Sequence, residues 1–370
     1  MLTHVEVTNF KSFKDTLVFD LTKSKSYEFN AECVKNGVIQ KAIVYGMNGS
    51  GKSNLGLTIF DLIGHTTNKH SGVHLYKPNY AYAGSSKDTL VKFKYEFIFE
   101  NVKLEYSYTK LDYDYLISEE LSIDNKVYLS IDRSKNNIAK IEFSGTDSLN
   151  KRIDNDKLSI ISYLRSNANL DKRNKVNKIF YAFLNFLDGM LYFRNLQSND
   201  FVGYSNSKPE LISVGIVRKD KVSAFEEFLN SVGIECQLGT KDNDLYWIIN
   251  ETWIPFFDIC SSGTEALACF YYWYICLEDN NVSFLFIDEF DAFYHHELSK
   301  KVVELLKPYQ LQLILTTHST SIMTNDLLRP DCYFVLHQQK LLSLPYLTDK
   351  ELRQAHNLEK LYRASAFMGD

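Results

Sequence analysis

The stretch Gly46-Met47-Asn48-Gly49-Ser50-Gly51-Lys52-Ser53 decides the fold class of this chain. It fits the pattern G-x-x-x-x-G-K-[ST], in which glycines let successive backbone N–H groups point at phosphate oxygens. The apolar run 42–45 before it is typical of a strand, and residues 53–62 after it are typical of a helix. The sequence therefore predicts a phosphate-binding loop between a strand and a helix of an α/β fold.

The residue types in this loop suit ATP and Mg²⁺. A lysine at position 52 can neutralise the β- and γ-phosphates, and the hydroxyl of Ser53 can bind Mg²⁺. The helix N-terminus behind the loop adds partial positive charge and free N–H donors. We predict that the nucleotide is bound by Gly46, Asn48, Gly49, Ser50, Gly51, Lys52, Ser53 and Asn54.

An acidic pair follows a second strand far downstream. Residues 282–287 are apolar except for Ser283, which suits a buried strand of a parallel sheet. Asp288 and Glu289 stand where that strand would end, the edge at which α/β folds place their chemistry. We expect Asp288 to hold Mg²⁺, directly or through water, and Glu289 to polarise the attacking water. A strand ending in solvated acids is the alternative, and the phosphate loop upstream favours catalysis.

A histidine follows the next predicted strand. Residues 311–315 are mainly apolar, and Thr316-Thr317-His318-Ser319 comes directly after them. A lone histidine is usually structural. One strand–helix–strand unit after the acidic pair, His318 is instead placed to reach the γ-phosphate or the attacking water. We therefore predict Lys52, Glu289 and His318 as the catalytic side chains.

The chain resembles ABC-type ATPases of the branch that includes the SMC, RecF and overcoming-lysogenization-defect proteins. Three stretches carry the resemblance besides the phosphate loop. The first strand and turn of that branch are similar to Val5-Glu6-Val7-Thr8-Asn9-Phe10-Lys11-Ser12-Phe13. The ABC signature motif is similar to Ser261-Ser262-Gly263-Thr264-Glu265. The acidic stretch that runs into the D-loop is similar to Asp288-Glu289-Phe290-Asp291-Ala292. The resemblance covers about residues 1–65 and 255–340, and the middle of the chain matches loosely.

The resemblance implies a site shared between two copies of the chain. In this family the signature motif binds the γ-phosphate held by the partner's phosphate loop, so Ser261, Ser262 and Gly263 would act in trans. A small-residue turn before a helix is an anion receptor, although its commoner use is a plain helix cap. The family also places residues matching Lys11 and Ser12 near the nucleotide. The resemblance thus implies an ATP-sandwiched homodimer or a higher oligomer.

Some positions depart from the family pattern. Cys260 stands where the signature motif usually has leucine, and His295 stands where the D-loop often ends in aspartate. The only candidate for the Q-loop glutamine is Gln197, in a setting unlike the usual one. These departures concern the coupling of the ATP state to movement and leave the prediction of nucleotide binding unchanged.

Composition bounds the class of protein. The chain has 370 residues, 45% of them hydrophobic, enough for one large core or a core with a subdomain. A net charge of −5 gives no global basic field for nucleic acid, although a local basic groove is compatible with it. The six cysteines form no CxxC pair and no zinc spacing, which suggests reduced thiols in a cytoplasm. The sequence has no signal pattern and no apolar run of membrane-spanning length, so we expect no membrane partner.

We expect an ABC-type P-loop head with a mixed sheet, a flanking antiparallel β-subdomain and a helical insertion. Residues 1–150 would form the N-terminal half of the head, with predicted antiparallel strands at 89–99, 102–111, 126–131 and 138–143. Residues 151–250 would form a helical or mixed insertion in place of a coiled-coil arm. Residues 251–370 would complete the head and end in a helical tail at 349–366. That leaves no room for a Toprim nuclease domain, so we expect no cutting activity in this chain.

The leading hypothesis is a cytoplasmic ATPase that senses phage invasion and controls a separate effector, a nuclease or toxin, in abortive infection. The alternative is a RecF-like repair or recombination ATPase that binds DNA directly. Its candidate contact is the basic stretch around Lys172, Arg173, Lys175 and Lys178, for which a solvated helix face is the simpler explanation. A transporter subunit is disfavoured by Asp291-Ala292 and the unclear Q-loop, and a non-hydrolysing scaffold is the weakest alternative.

Overall fold

A computed structural model describes residues 1–67, 69, 71–77, 79–194, 200–204, 210–279 and 281–367. The strands in these ranges are β1 (Leu2–Thr8), β2 (Leu17–Asp20), β3 (Val34–Lys35), β4 (Val38–Ile39), β5 (Lys41–Tyr45), β6 (Val91–Phe99), β7 (Val102–Lys110), β8 (Leu116–Ile123), β9 (Lys126–Asp132), β10 (Lys140–Ile141), β11 (Met190–Arg194), β12 (Phe201–Gly203), β13 (Leu238–Lys241), β14 (Asp244–Ile249), β15 (Thr252–Pro255), β16 (Phe284–Asp288), β17 (Gln312–Thr317), β18 (Tyr333–His337) and β19 (Lys340–Ser343). The α-helices are α1 (Lys52–Thr66), α2 (Val73–Tyr76), α3 (Ile160–Asn167), α4 (Lys175–Asp188), α5 (Ile212–Arg218), α6 (Val222–Ser231), α7 (Ser262–Cys276), α8 (His296–Leu306) and α9 (Leu358–Arg363).

A mixed sheet of seven strands forms the centre of the molecule, in the order β12-β11-β16-β17-β5-β18-β19. The five inner strands are parallel to one another, and the two edge strands are antiparallel to their neighbours. Every residue of β5, β16 and β17 is buried, as expected for parallel strands covered on both faces. Parallel strands share one carboxyl edge, so the loops after β5, β16 and β17 meet there.

A second sheet of seven strands is antiparallel throughout, in the order β10-β9-β8-β7-β6-β1-β2. Along β6 buried Val91, Phe93, Tyr95 and Phe97 alternate with more accessible charged residues. This alternation is the pattern of a sheet with one face on the core and one toward solvent. Two smaller sheets, β13-β14-β15 and β3-β4, complete the topology of the described ranges.

Helix α1 lies between the two large sheets. A Cβ atom on Gly56 would stand 2.7 Å from ring atoms of Tyr192 and Phe286 in the central sheet. From the other side, the hydroxyl of Tyr95 in β6 donates to the carbonyl of Thr58 at 2.6 Å. Twelve of the 15 residues of α1 are buried, as expected for a helix enclosed on all sides. The sheets therefore fix the helix that begins at the phosphate loop.

The predicted fold class is confirmed. The structure has a mixed core sheet, a flanking antiparallel sheet, and helices α3 to α6 between residues 141 and 238. Strand β11 falls in the segment 151–250, so the central sheet draws strands from all three predicted segments. The domain division itself stays a prediction. In the described ranges, no helix combines the length and apolar character that a membrane span requires.

The predicted helical tail at 349–366 is wrong, because only Leu358–Arg363 is α-helical there. The side-chain amide of buried Asn325 donates to the carbonyls of Arg353, Gln354 and His356 at 3.0–3.1 Å. In an α-helix these carbonyls would accept hydrogen bonds from backbone N–H groups four residues later. Here they accept from Asn325 instead, so a tertiary contact holds the segment in an irregular conformation.

Candidate active site

The phosphate loop connects β5 to α1 through tight backbone geometry. Gly49 and Gly51 have φ angles of +78° and +105°, in the left-handed region that favours glycine. A Cβ atom on Gly46 would stand 2.4 Å from Oγ of Ser50, and one on Gly51 would stand 2.9 Å from the ring of Phe13. A side chain at Gly46 or Gly51 would therefore force neighbouring groups to move, as expected for a backbone that forms a close phosphate cradle.

Lys52 and Ser50 fit an anion in that cradle. The ammonium of Lys52 donates to the carbonyls of Gly46 at 2.7 Å and Met47 at 3.3 Å. Burial lowers the pKa of Lys52, while Glu289 and Asp288 act to raise it. Among the described residues, the buried hydroxyl of Ser50 has no hydrogen-bond partner. An orphaned donor beside an ammonium is what a phosphate group would satisfy.

Asp288 joins the acidic strand to the loop. Its carboxylate is completely buried and accepts hydrogen bonds from Oγ of Ser53 at 2.6 Å and Oγ1 of Thr316 at 2.8 Å. The hydroxyl of Tyr192 donates to the same carboxylate at 3.4 Å. Because the hydroxyl of Ser53 is the donor in its hydrogen bond to Asp288, the lone pairs of its oxygen stay available to a hard cation. Ser53 and Asp288 are thus the residues that fit Mg²⁺ beside the phosphate cradle.

Glu289 follows Asp288 in an unusual conformation. Its φ angle of +48° is in the left-handed region, and its backbone N–H donates to Oγ1 of Thr316 at 2.8 Å. Such strain is common at functional sites. The side chain is partly exposed, whereas that of Asp288 is buried. The turn therefore separates two adjacent carboxylates, one inside the sheet edge and one accessible to a water molecule.

His318 lies directly after β17 and is exposed. The carbonyl of the preceding Thr317 accepts a hydrogen bond from the N–H of Gly46 at 3.2 Å, so this strand end is tied to the phosphate loop. The hydroxyl of Thr317 donates to Oδ2 of Asp291 at 2.7 Å. Burial raises the pKa of Asp291, while the nearby His318 acts to lower it. The predicted acid, base and metal ligands thus gather on one sheet edge.

The turn before α7 is presented to solvent. Ser261 caps this 15-residue helix, since its Oγ accepts the N–H of Thr264 at 3.2 Å, and both Ser261 and Ser262 are exposed. A Cβ atom on Gly263 would meet the carbonyl of Phe293 at an ordinary 3.5 Å. An exposed turn of small residues at a helix N-terminus can accept an anion.

The remaining predicted nucleotide ligands differ in position. Oγ of Ser12 accepts the side-chain amide of Asn54 at 2.8 Å and lies against Gly51, so both residues border the loop. Asn48 is exposed at the loop tip. The ammonium of Lys11 donates to the carbonyls of Leu75 and Tyr76 at 2.9 and 2.8 Å, at the end of α2. The roles of these residues toward a nucleotide stay predictions.

The departures from the family pattern have local explanations in part. Nδ1 of His295 accepts the N–H of Leu298 at 3.3 Å and so caps α8. The thiol of Cys260 donates to the carbonyl of Phe256 at 2.8 Å, and burial raises its pKa to about 12. Gln197 lies outside the described residues. Within the described ranges, no group of three histidine, cysteine or acidic residues could hold a metal ion.

One charged residue of the site carries no sequence signal. Nε of Arg194, the last residue of β11, lies 3.4 Å from Oδ2 of Asp288. It belongs to no recognisable motif, and only the pairing of β11 with β16 brings it to Asp288.

The geometry can be compared with known proteins. The family model described as "AAA domain, putative AbiEii toxin, Type IV TA system" matches residues 41–324, more than three quarters of the chain. The chain belongs to this family. No curated protein matches the sequence. With its phosphate loop and acidic strand assembled on one sheet edge, this AAA-domain protein has the site architecture of a P-loop ATPase.

Several solved structures are similar in fold. One is an SMC head bound to the C-winged helix domain of ScpA, with 13% identity, a TM-score of 0.49, and coverage of 93% of this chain and 97% of that one. A second is the SMC head domain from Thermotoga maritima, with 12% identity, a TM-score of 0.42, and coverage of 92% and 97%. A third is an SMC head with an extended coiled coil from Pyrococcus furiosus, bound to the C-terminal domain of ScpA, with 13% identity, a TM-score of 0.45, and coverage of 93% and 96%.

Proposed function

We propose that this chain is an ATP-driven switch whose catalytic site is completed by a second copy of itself. The observation that carries the proposal is the exposure of Ser261 and Ser262 at the start of α7. The phosphate loop, Ser53 and Asp288 are already assembled within one chain. The turn at the start of α7 is a second anion receptor, and it faces solvent. It therefore suits the phosphate held by the loop of a partner copy better than the phosphate held by its own loop.

Each residue then has a defined task. The loop amides and Lys52 would bind the triphosphate, and Ser53 and Asp288 would hold Mg²⁺. A bound Mg²⁺ supplies neutralisation of charge on the β- and γ-phosphates. Glu289 orients the attacking water, His318 contacts the γ-phosphate, and Ser261 of the partner copy closes the site. Binding of ATP would close the dimer and hydrolysis would reopen it.

The dimer proposal is tested with a Glu289→Gln variant, which keeps the shape of the side chain and removes its basicity. We expect ATP to drive this variant into a dimer that is stable enough for analytical ultracentrifugation, while ADP does not. A Glu289→Gln, Ser261→Arg double variant is the matched control and should stay monomeric with ATP. A Glu289→Gln variant that is monomeric with and without ATP would overturn the proposal.

The biological role we propose is regulation of a separate cytoplasmic effector, a nuclease or toxin, during anti-phage defence. Support for a toxin–antitoxin setting comes from the family description, which names a putative toxin of a type IV toxin–antitoxin system. An assembly that depends on ATP can hold such an effector inactive or release it. The test is a phage challenge of cells that express the chain with its neighbouring gene. Protection that is lost in Lys52→Ala is expected, and equal plaque counts with and without the pair would overturn this role.

A RecF-like role in DNA binding is the second candidate. It is favoured by four basic side chains, all exposed at the start of α4, where the helix dipole adds positive charge: Lys172, Arg173, Lys175 and Lys178. If this cluster binds DNA, neutralising all four residues should weaken binding and reduce its dependence on salt. Unchanged DNA affinity in that variant would exclude this surface as the contact.

A further inference from the structure

Arg194 stands at the carboxyl edge of the central sheet, beside the predicted Mg²⁺ site. Strand β11 runs parallel to β16, and Arg194 is the register partner of Asp288. Paired residues of neighbouring strands point to the same face of a sheet. That face is the one covered by α1, because Gly56 of α1 contacts Tyr192 and Phe286 on it. The guanidinium therefore lies on the side of the helix that begins at the phosphate loop.

The contact between Arg194 and Asp288 is electrostatic and geometrically incomplete. The separation of Nε and Oδ2 is 3.4 Å, and within the described residues this buried Nε has no hydrogen-bond partner. Asp288 already accepts well-formed hydrogen bonds from Ser53 and Thr316 at 2.6 and 2.8 Å. A structural arginine usually forms short bidentate bonds with its carboxylate. The Arg194 side chain retains 29% exposure, so part of its guanidinium stays accessible.

A guanidinium and a divalent cation beside the same carboxylate repel one another, so binding of Mg²⁺ at Asp288 favours a different partner for Arg194. Arginine stays protonated under all physiological conditions, so it can only move away. Phosphate oxygens of a bound nucleotide would be strong acceptors for it, because they match the fork of the guanidinium. Asp288 bonds to Ser53 directly after the loop lysine, so Arg194 lies at the end of the site where the β- and γ-phosphates would be bound.

We propose that Arg194 is a phosphate-binding residue that exchanges partners on nucleotide binding, from Asp288 to the β- and γ-phosphates of ATP. This inference rests on the proposed nucleotide site. The exchange gives β11 a contact that depends on the nucleotide, at the strand end that precedes the segment containing Gln197. Arg194 thereby distinguishes ATP from ADP within one chain, before any partner copy contributes Ser261.

The test measures binding of N-methylanthraniloyl-labelled ATP and ADP, each with Mg²⁺, to the full chain and its variants. We expect Arg194→Gln to weaken binding of the ATP probe by about tenfold or more and that of the ADP probe much less, because charged hydrogen bonds to the γ-phosphate are lost. The affinity of Arg194→Lys for the ATP probe should lie between those of the wild type and Arg194→Gln, since lysine keeps the positive charge and lacks the forked guanidinium. Arg165→Gln is the matched control. Arg165 pairs with Asp188 at a distance of 2.9 Å, and neither residue is a predicted nucleotide ligand.

Other outcomes overturn one proposal or both. If Arg194→Gln binds both probes as the wild type does, or loses affinity for both equally, Arg194 only balances the charge of Asp288. Thermal melting of each variant separates a loss of ligand contacts from a loss of folding, and Arg194→Lys serves if Arg194→Gln does not fold. A wild-type protein that binds neither probe would overturn the proposed function as well.

Discussion

The hydroxyl of Ser53 donates a hydrogen bond of 2.6 Å to Oδ2 of Asp288, although 235 positions separate the two residues. This contact joins the first residues of α1 to the end of β16 and places a metal-binding hydroxyl beside the phosphate cradle. It is the point at which two distant sequence motifs become one site. The predictions below test the chemistry of this site and the buried groups that hold it in place.

Replacing Lys52 by alanine should abolish ATP hydrolysis. Its ammonium is the only one that bonds to the phosphate loop among the described contacts, and removal of one charge-stabilising donor typically lowers turnover by about 10²- to 10³-fold. Phosphate release from ATP measures the effect. Lys126→Ala is the control, because its side chain is 63% exposed on the antiparallel sheet. Turnover of Lys52→Ala close to that of the wild type would contradict this assignment.

Two inactive variants should restore activity when mixed. Lys52→Ala removes the loop lysine, and Ser261→Arg blocks the exposed turn before α7. In a composite dimer, a mixed pair has one site with both defects and one intact site. With random pairing, roughly a quarter of the wild-type ATPase activity should return, since half of the dimers are mixed and each has one of two sites intact. A mixture as inactive as its components would indicate a site that acts in cis.

The buried ion pair between Lys110 and Asp61 should be critical for stability. The two charged groups are 2.7 Å apart, with side-chain exposures of 1% and 0%, and the hydroxyls of Tyr80 and Tyr108 also donate to Asp61. Lys110→Met would leave the Asp61 carboxylate without its cation and should cost about 3 to 5 kcal/mol. Urea denaturation measures the loss.

Lys103→Met is the control for this change. Lys103 pairs with Glu96 at 2.9 Å, but its side chain is 44% exposed. An exposed pair contributes at most about 1 kcal/mol, so this variant should resemble the wild type. Equal destabilisation by the two substitutions would contradict the assigned importance of the buried pair, which anchors α1 to the antiparallel sheet.

His65 should make the protein sensitive to acid. Burial lowers the pKa of His65 well below the usual histidine value of 6.5, and the neighbouring Lys110 lowers it further. The folded protein therefore keeps the ring neutral, while the unfolded chain binds a proton as the pH falls below 6.5. Stability is full above that pH and falls by about 1.4 kcal/mol for each pH unit below it, until the folded state also takes up the proton.

The test compares the free energy of unfolding of the wild type and His65→Gln between pH 5 and pH 8. We expect the variant to lose less stability on acidification, because glutamine can still bond to the hydroxyl of Tyr106, which lies 2.9 Å from Nε2 of His65. His296→Gln is the control, since the side chain of His296 is 59% exposed. The same pH profile in wild type and His65→Gln would refute the assignment.

Local patterns predicted the elements that carry the motifs. The phosphate loop, the helix after it and strands β16 and β17 each have a continuous signal, either spaced glycines or an uninterrupted apolar run. Strand β8 was not predicted from the sequence. It has buried Glu119 at an inward position, which breaks the apolar alternation, and that carboxylate accepts the N–H of Ile160 at the start of α3 at 2.7 Å. The pattern failed where a polar group is buried for a tertiary contact.

By itself, the sequence determined the P-loop ATPase class, the residues around the phosphates and the acidic pair. The reason is that spaced glycines and uninterrupted apolar runs are local patterns that can be recognised in consecutive residues. Only the tertiary structure decided that Arg194 faces Asp288, that Lys110 neutralises Asp61, and that Asn325 holds the tail out of a helix. Each of these contacts joins residues of different elements. Charges and amides carry no periodic signal, so their partners emerge only when strand register and packing bring them together.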